Sequence, residues 1–195
     1  LPPDVAPIQV IIVPIAQHKE GVLDKAYELR DRLAKQFRVK VDSSDNSAGW
    51  KFAEYEMKGV PIRLEIGPKD IENNQCVLVR RDNREKVFIS LDNLEEGLTS
   101  TMNAYAEAIY NKALENVKNR SYACTSIDEI NEKLAANGDG FVKAMWCGEE
   151  ECEDKVKELT GVGSRCIPFE QENLSETCVC CGKPAKHMVY WGKAY

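Results

Sequence analysis

Long hydrophobic runs are missing from this 195-residue sequence. The longest, from Val10 to Ile15, contains Pro14 and has the length of a strand, whereas a membrane-spanning helix needs about 20 apolar residues. No basic segment followed by an apolar one stands near the first residue, so nothing indicates a secretory signal peptide. We therefore expect a cytoplasmic protein that does not contact a membrane.

A net positive charge is also missing, because the formal net charge is −6. This balance argues against a simple cationic nucleic-acid binder. Residues 50–86 hold eight basic and seven acidic side chains, so this segment is +1 and the remainder is −7. A patch of mixed sign can read RNA, with arginines on phosphates and carboxylates on the donor edges of bases. The composition fits a solvated charged surface at least as well.

Histidine is scarce, since the chain has only His18 and His187, and we interpret neither as a ligand. Cysteine is not: there are eight. Without a secretory signal, a framework of disulfides is not favoured, and paired cysteines in a cytosolic chain indicate metal. The isolated Cys76, Cys124 and Cys166 are expected to be small core residues.

The remaining cysteines lie in the last quarter of the chain: Cys147, Cys152, Cys178, Cys180 and Cys181. A Cys-x4-Cys pair and a Cys-x2-Cys pair, 25 residues apart, predict a tetrahedral structural zinc site with no open position. We expect Cys147, Cys152, Cys178 and Cys181 to be the ligands, because the glycine after Cys181 suits a knuckle. Cys180 competes for a place in the second pair, and incidental thiols or disulfides are the simpler alternative.

Strand and helix patterns alternate along the first half of the chain. Strands are predicted at residues 8–15, 39–41, 61–66, 76–79 and 87–89. Helices are predicted from near residues 22, 48 and 94, the last with an apolar stripe that reaches Ile109 and includes Leu114. The pattern predicts an α/β fold, with a mainly parallel (mixed) five-stranded sheet flanked by helices.

The character of the sequence changes after Val117. Residues 120–125 read as a linker, residues 137–140 as a turn, and residues 141–146 and 164–169 as strands around a helix. Ser126 and Glu129 form a capping box that opens another helix. We place the domain boundary near residue 120, with a small α+β zinc-binding domain over residues 120–195 and the larger domain over residues 8–119.

Four ordered stretches resemble prolyl-tRNA synthetases of the archaeal and eukaryotic-like type. Residues 49–70 (GWKFAEYEMKGVPIRLEIGPKD) resemble the family's anticodon-binding domain. Residues 1–10 resemble the exit from its catalytic domain, with residues 1–7 before the anticodon domain. Residues 164–169 (SRCIPF) and 184–195 resemble its zinc-binding C-terminal domain.

The resemblance implies a proline–tRNA ligase, which activates proline with ATP and Mg²⁺ and esterifies it to tRNA(Pro). It also implies a class II catalytic domain upstream, whose signatures this chain lacks, so the chain alone is expected to be inactive. The family's terminal tyrosine folds back towards that domain, and Tyr195 matches it. The family is a homodimer through its catalytic domains, so this chain is expected to be a monomer.

The family's task for such a domain is to bind the anticodon loop, in which two bases are guanines. A carboxylate accepts from the N1–H and N2–H of guanine, and arginine or lysine reaches its O6 and N7. On this basis the candidate RNA-binding residues are Lys51, Glu56, Arg63, Glu65, Arg80 and Lys86. Each can equally be solvated or paired with a neighbour. We expect Trp50 in the core.

Three other functions compete with this interpretation. The anticodon domain of a threonyl, histidyl or glycyl enzyme shares the fold, but those enzymes lack the zinc tail that ends in tyrosine. A zinc-stabilised adaptor that binds protein is a non-enzymatic alternative. A thioredoxin-like redox role for Cys178 and Cys181 is disfavoured, because that motif should open a helix after the first strand of a βαβ unit.

Overall fold

The computed structural model describes residues 1–138 and 140–194, so Asp139 of the predicted turn and Tyr195 lie outside the described residues. The chain divides into two compact units, Leu1–Asn111 and Lys112–Tyr195. Within the described ranges, no helix has both the length and the apolar character that crossing a membrane requires. The predicted boundary near residue 120 stays a prediction.

The first unit is built on a sheet of five strands in the order β2-β1-β3-β4-β5. The strands are β1 (Val10–Pro14), β2 (Val39–Val41), β3 (Ile62–Ile66), β4 (Gln75–Arg80) and β5 (Lys86–Ser90). The helices are α1 (Val22–Leu33), α2 (Ala48–Met57), α3 (Pro68–Glu72) and α4 (Leu94–Asn119), the last of which runs on into the second unit. β1 pairs parallel with β2 and β3, and the other pairings are antiparallel. The predicted mixed α/β sheet with flanking helices is thus confirmed.

One face of this sheet holds the main core. α1 turns a stripe of fully buried side chains towards it, because apolar residues recur every three or four positions (Val22, Ala26, Leu29 and Leu33). α4 adds Leu94, Leu98, Met102 and Tyr105. Burying each large apolar side chain contributes about 1.5–3 kcal/mol. The predicted stripe of α4 ends earlier than expected, since Ile109 is partly buried and Leu114 is exposed.

The other face of the sheet packs against α2. Ser47 caps this helix by accepting a hydrogen bond from the Trp50 backbone N–H at 3.3 Å. The side chains that turn inward are Lys51 and Tyr55, one turn apart. Trp50 is offset from Lys51 by about 100° and is half exposed. The expectation that Trp50 lies in the core is therefore wrong.

The second unit has a four-stranded sheet in the order β6-β7-β9-β8. Its elements are β6 (Ser121–Ala123), α5 (Ile127–Asn137), β7 (Phe141–Trp146), α6 (Glu150–Thr160), β8 (Val162–Cys166) and β9 (His187–Lys193). The predicted linker at residues 120–125 is wrong, because β6 pairs parallel with β7 there. β8 begins and ends earlier than predicted. Cys76 and Cys124 are buried as expected, but the expectation that Cys166 is a core residue is wrong, because it is exposed at the end of β8.

Candidate nucleic-acid interface and metal centre

Arg63, in β3, joins the helix and the sheet on the α2 side of the first unit. Its Nε donates to Glu65 Oε1 at 2.9 Å, and its Nη1 donates to Glu56 Oε1, in α2, at 3.3 Å. The guanidinium lies 3.8 Å from the centre of the Phe52 ring. With only 12% of the Arg63 side chain exposed, this guanidinium is fixed from three directions.

The uncovered edge of the same sheet face lies beyond α2. Strand register places Lys86 level with Arg63, across Val79, and the Lys86 Nζ lies 3.5 Å from Glu65 Oε2. Arg84, in the turn between β4 and β5, donates through Nη2 to Glu56 Oε2 at 3.0 Å. We call the set Glu56, Arg63, Glu65, Arg84 and Lys86 the charged face.

Sequence reasoning missed Phe52 and Arg84. Phe52 stands one helical turn before Glu56, a spacing that puts both on one side of α2 and was a usable signal. Arg84 has a left-handed backbone, with φ of 60°, a conformation that only a few per cent of residues other than glycine adopt. Nothing in the local sequence predicts that the side chain of Arg84, in the turn, contacts Glu56 in α2.

Arg80 is not part of the charged face. Register pairs it with Ile62, so its side chain lies on the opposite face of the sheet, towards α4. There its guanidinium donates to both carboxylate oxygens of Asp82, at 3.0 and 2.7 Å, and to the Ala104 carbonyl at 3.4 Å. The hydrogen bond to the Asp82 carboxylate is the main reason that the pKa of Arg80 is raised above its ordinary value.

Lys51 is buried beneath α2, with 3% of its side chain exposed. Its Nζ donates to the Asp42 carbonyl at 3.0 Å and to Gln17 Oε1 at 3.2 Å, and lies 3.8 Å from Asp42 Oδ1. Burial raises the pKa of Asp42, but hydrogen bonds from Ser44 and the attraction of Lys51 outweigh it and hold that pKa below its ordinary value. Burial and the Asp42 carboxylate raise the pKa of Tyr55 to about 12.

Lys51 also lines a cavity of about 280 Å³ at the carboxyl ends of β1 and β2, together with Gln17, His18 and Asn46. In open α/β sheets, ligands bind outside the carboxyl ends of the strands. A larger hollow of about 640 Å³ lies along α4, but Glu95, Glu96 and Glu107 line it. This negative lining repels phosphate, so the hollow is a poor site for RNA.

The second unit brings the paired cysteines together. The sulfur atoms of Cys147, Cys152, Cys178 and Cys181 all lie within 4.8 Å of one another, and the Cys147 and Cys181 sulfurs are 3.8 Å apart. Tetrahedral zinc with Zn–S bonds of about 2.3 Å requires sulfurs about 3.8 Å apart by the same geometry. The four thiols therefore fit a zinc-sized ion. Cys180 packs beside this cluster without belonging to it.

Two tight turns shape the cluster. Gly148 and Gly182 each follow a cysteine with a positive φ, of 89° and 72°, which glycine adopts without steric cost. Burial raises the pKa of the Cys178 thiol, but backbone N–H groups of Cys181, Cys180 and Cys147 outweigh it and lower the pKa to about 7. A thiol poised to ionise suits a metal ligand, because the thiolate is the ligating form.

The first unit is thus a mixed sheet flanked by helices, with arginine and carboxylate side chains along one edge, and the second unit carries a cysteine cluster. Residues 9–101 match the family described as anticodon binding domain, and residues 127–195 match the family described as prolyl-tRNA synthetase, C-terminal. The chain therefore belongs to the prolyl-tRNA synthetase family, over its anticodon-binding and C-terminal domains. A threonyl, histidyl or glycyl enzyme is excluded by the second match.

Curated relatives agree over the whole chain. It is 61% identical to proline–tRNA ligase of Clostridium novyi over 199 aligned residues and 60% identical to that of Ruminiclostridium cellulolyticum over 195. It is also 60% identical to proline–tRNA ligase 2 of Bacillus thuringiensis. Each alignment covers 100% of this chain and 41% of the relative, so the chain spans about two fifths of their length.

Proposed function

We propose that this chain is the tRNA-recognition part of a proline–tRNA ligase and binds the anticodon loop of tRNA(Pro). The relatives carry that activity in their names, and the chain aligns with about two fifths of each. Activation of proline with ATP and Mg²⁺ then belongs to a catalytic domain outside the present sequence. We place this function in the cytoplasm and expect the whole enzyme to be a homodimer.

The charged face is the observation that carries the proposal. Glu56 and Glu65 share the guanidinium of Arg63 between them. Arg63 takes Oε1 of each carboxylate, so once Arg84 leaves Glu56, its Oε2 and the remaining lone pairs of Oε1 can accept from the N1–H and N2–H donors of guanine. An arginine or lysine beside it reaches O6, N7 or a phosphate.

Exchange of partners at Glu56 is inexpensive. Arg84 is 77% exposed in its pair with Glu56, and exposed ion pairs contribute about 0–1 kcal/mol. A guanine edge therefore displaces Arg84 from the carboxylate at little cost, while Arg63 stays fixed by Glu65 and Phe52. The freed Arg84 and the half-exposed Lys86 are then placed for phosphate contact.

The predicted RNA contacts of Lys51 and Arg80 stay predictions, and the charged face does not support them. Both side chains are already hydrogen-bonded within the first unit, and they lie away from the charged face. Contact through Lys51 requires a nucleotide in the cavity at the strand ends. We assign recognition primarily to the charged face.

We propose zinc as the ion for the cysteine cluster, with a structural role. Four thiolates leave no open coordination position, so the ion supplies no catalysis. Cys147, Cys152, Cys178 and Cys181 are the proposed ligands, and the ion stabilises a unit whose own core is small.

Binding of an anticodon stem–loop tests the anticodon proposal. A loop with both guanines should bind about 5- to 150-fold more tightly than one with two adenines. Glu56→Gln should remove most of that preference. Glu54→Gln is the matched control, because Glu54 lies on the same helix and pairs with Lys58, outside the charged face. Affinity should fall as salt rises. Equal binding of both loops by the unaltered chain would refute the proposal.

A further inference from the structure

The charged face adjoins an exposed aromatic ring. Phe88 lies in β5, the edge strand of the first sheet, and 63% of it is exposed. Strand register places it on the same sheet face as Lys86, and level with Glu65 across Val77. Side chains on the opposite face of β5, Val87 and Ile89, are turned towards the core and are partly buried.

Phe88 differs from Phe52, the ring beside Arg63, in having no group stacked on it among the described residues. Phe52 is covered by the Arg63 guanidinium, 3.8 Å from its centre. Across residues 1–138 and 140–194, no second ring and no cation lies over Phe88. Single exposed apolar side chains are common on protein surfaces, so exposure alone assigns Phe88 no role. What points to a role is its place on the same sheet face as Lys86 and Glu65.

The spacing between Phe88 and the carboxylates suits one nucleobase. Adjacent strands lie about 4.8 Å apart, so Phe88 and Glu65 are separated by roughly 10 Å along the sheet. Lys86 lies two residues before Phe88 on the same strand and face, and its Nζ reaches Glu65 Oε2 at 3.5 Å. A base stacked on Phe88 with its edge towards Glu65 would have room for its phosphate near Lys86.

We propose that Phe88 is a stacking platform for one unpaired base of the bound RNA loop. This inference rests on the proposed function. It assigns a division of labour within the site: the carboxylates and Arg63 read which base is present, and Phe88 supplies affinity that does not depend on base identity. Every base has a π-face, so stacking tolerates any sequence.

Substitution at Phe88 in the full chain tests the proposal. Stacking on an aromatic side chain strengthens binding about 5- to 150-fold per base. Phe88→Ala should weaken binding of the guanine loop and of the adenine loop by the same factor in that range, and leave their ratio unchanged. Phe88→Trp should restore affinity, whereas Phe88→Leu, which is apolar without a π-face, should not. Because most of Phe88 is exposed, we expect all of these variants to fold, and thermal denaturation checks this.

Abasic RNA makes the test independent of any change in folding. A series of stem–loops, each with one loop base removed, is titrated against the unaltered chain and Phe88→Ala. At one position the two proteins should bind equally, because the base that stacks is absent. Unchanged affinity in Phe88→Ala, rescue by Phe88→Leu, or a constant ratio at every abasic position would overturn the stacking role. Loss of guanine preference in the unaltered chain would instead refute the proposed function and leave the stacking result readable.

Discussion

Replacement of Lys51 tests whether this lysine stabilises the fold or contacts RNA. Its charged group is surrounded by the Asp42 carbonyl, the Asp42 carboxylate and Gln17 Oε1. Lys51→Met keeps the apolar stem and removes the ammonium. The buried Asp42 carboxylate then keeps its hydrogen bonds from Ser44 and Tyr55 but loses its neighbouring positive charge. We expect the first unit to lose stability.

The expected loss is large for one side chain. Removing one partner of a buried ion pair costs about 3–5 kcal/mol, and Asp42 retains hydrogen bonds, so about 3 kcal/mol is expected. In a domain of this size that lowers Tm by roughly 10–20 °C. Lys58→Met is the matched control: Lys58 lies on the same helix, its side chain is 54% exposed, and its pair with Glu54 contributes at most about 0.5 kcal/mol.

Thermal and urea denaturation followed by circular dichroism measure this difference, and RNA titration at several salt concentrations gives a second readout. Below its melting temperature, folded Lys51→Met should bind RNA with an unchanged salt dependence, whereas a lost phosphate contact lowers the slope by about 0.7–0.9. A melting temperature within about 2 °C of the unaltered chain would refute the structural account of Lys51. A lowered slope would restore Lys51 as an RNA contact.

Two further predictions concern metal and acid. Cys147→Ser should abolish zinc binding and the near-ultraviolet circular dichroism of the second unit, while exposed Cys166→Ser should leave both unchanged; zinc retained by Cys147→Ser would contradict the ligand assignment. The pKa of Glu95 is lowered, chiefly by its hydrogen bond from Arg32, and that of Asp42 is lowered as well. Both carboxylates therefore stabilise the fold above their unfolded pKa, about 4, and this stability should disappear as pH falls through the lower folded values. Urea midpoints between pH 7 and pH 3 measure the loss, and an unchanged midpoint in this range would contradict it.

Local patterns predicted much of the fold. The buried stripe of α1 follows directly from residues spaced three or four apart, and α2 begins at Ala48, where the sequence predicted a helix, with Ser47 as its N-cap. The cysteine pairs also meet as their spacing required. These features depend on neighbours in sequence, which periodicity and turn chemistry report.

Features that depend on distant neighbours were not accessible in the same way. The rotation of α2 about its axis decides that Lys51 is buried and Trp50 exposed. The sequence does not predict this rotation, because apolar and charged residues occur on both sides of the helix. β6 is three residues long and exists because β7 lies beside it. Arg80 looked equivalent to Arg63 in sequence, and only strand register shows that the two lie on opposite faces of the sheet.

If the proposed function holds, the sharing of Arg63 between two carboxylates gives an acidic chain a way to read RNA. With a net charge of −6, general attraction to phosphate is expected to be weak, and so is affinity for arbitrary RNA. A carboxylate that repels phosphate but accepts from a base edge then disfavours every RNA that does not present the matching donors. Arg63 holds Glu56 and Glu65 in place before the RNA arrives, so little ordering remains to be done on binding. On the proposed function, specificity at the charged face would come from fixed acceptors in a repulsive field, with Arg84 and Lys86 at its rim supplying the local attraction for phosphate.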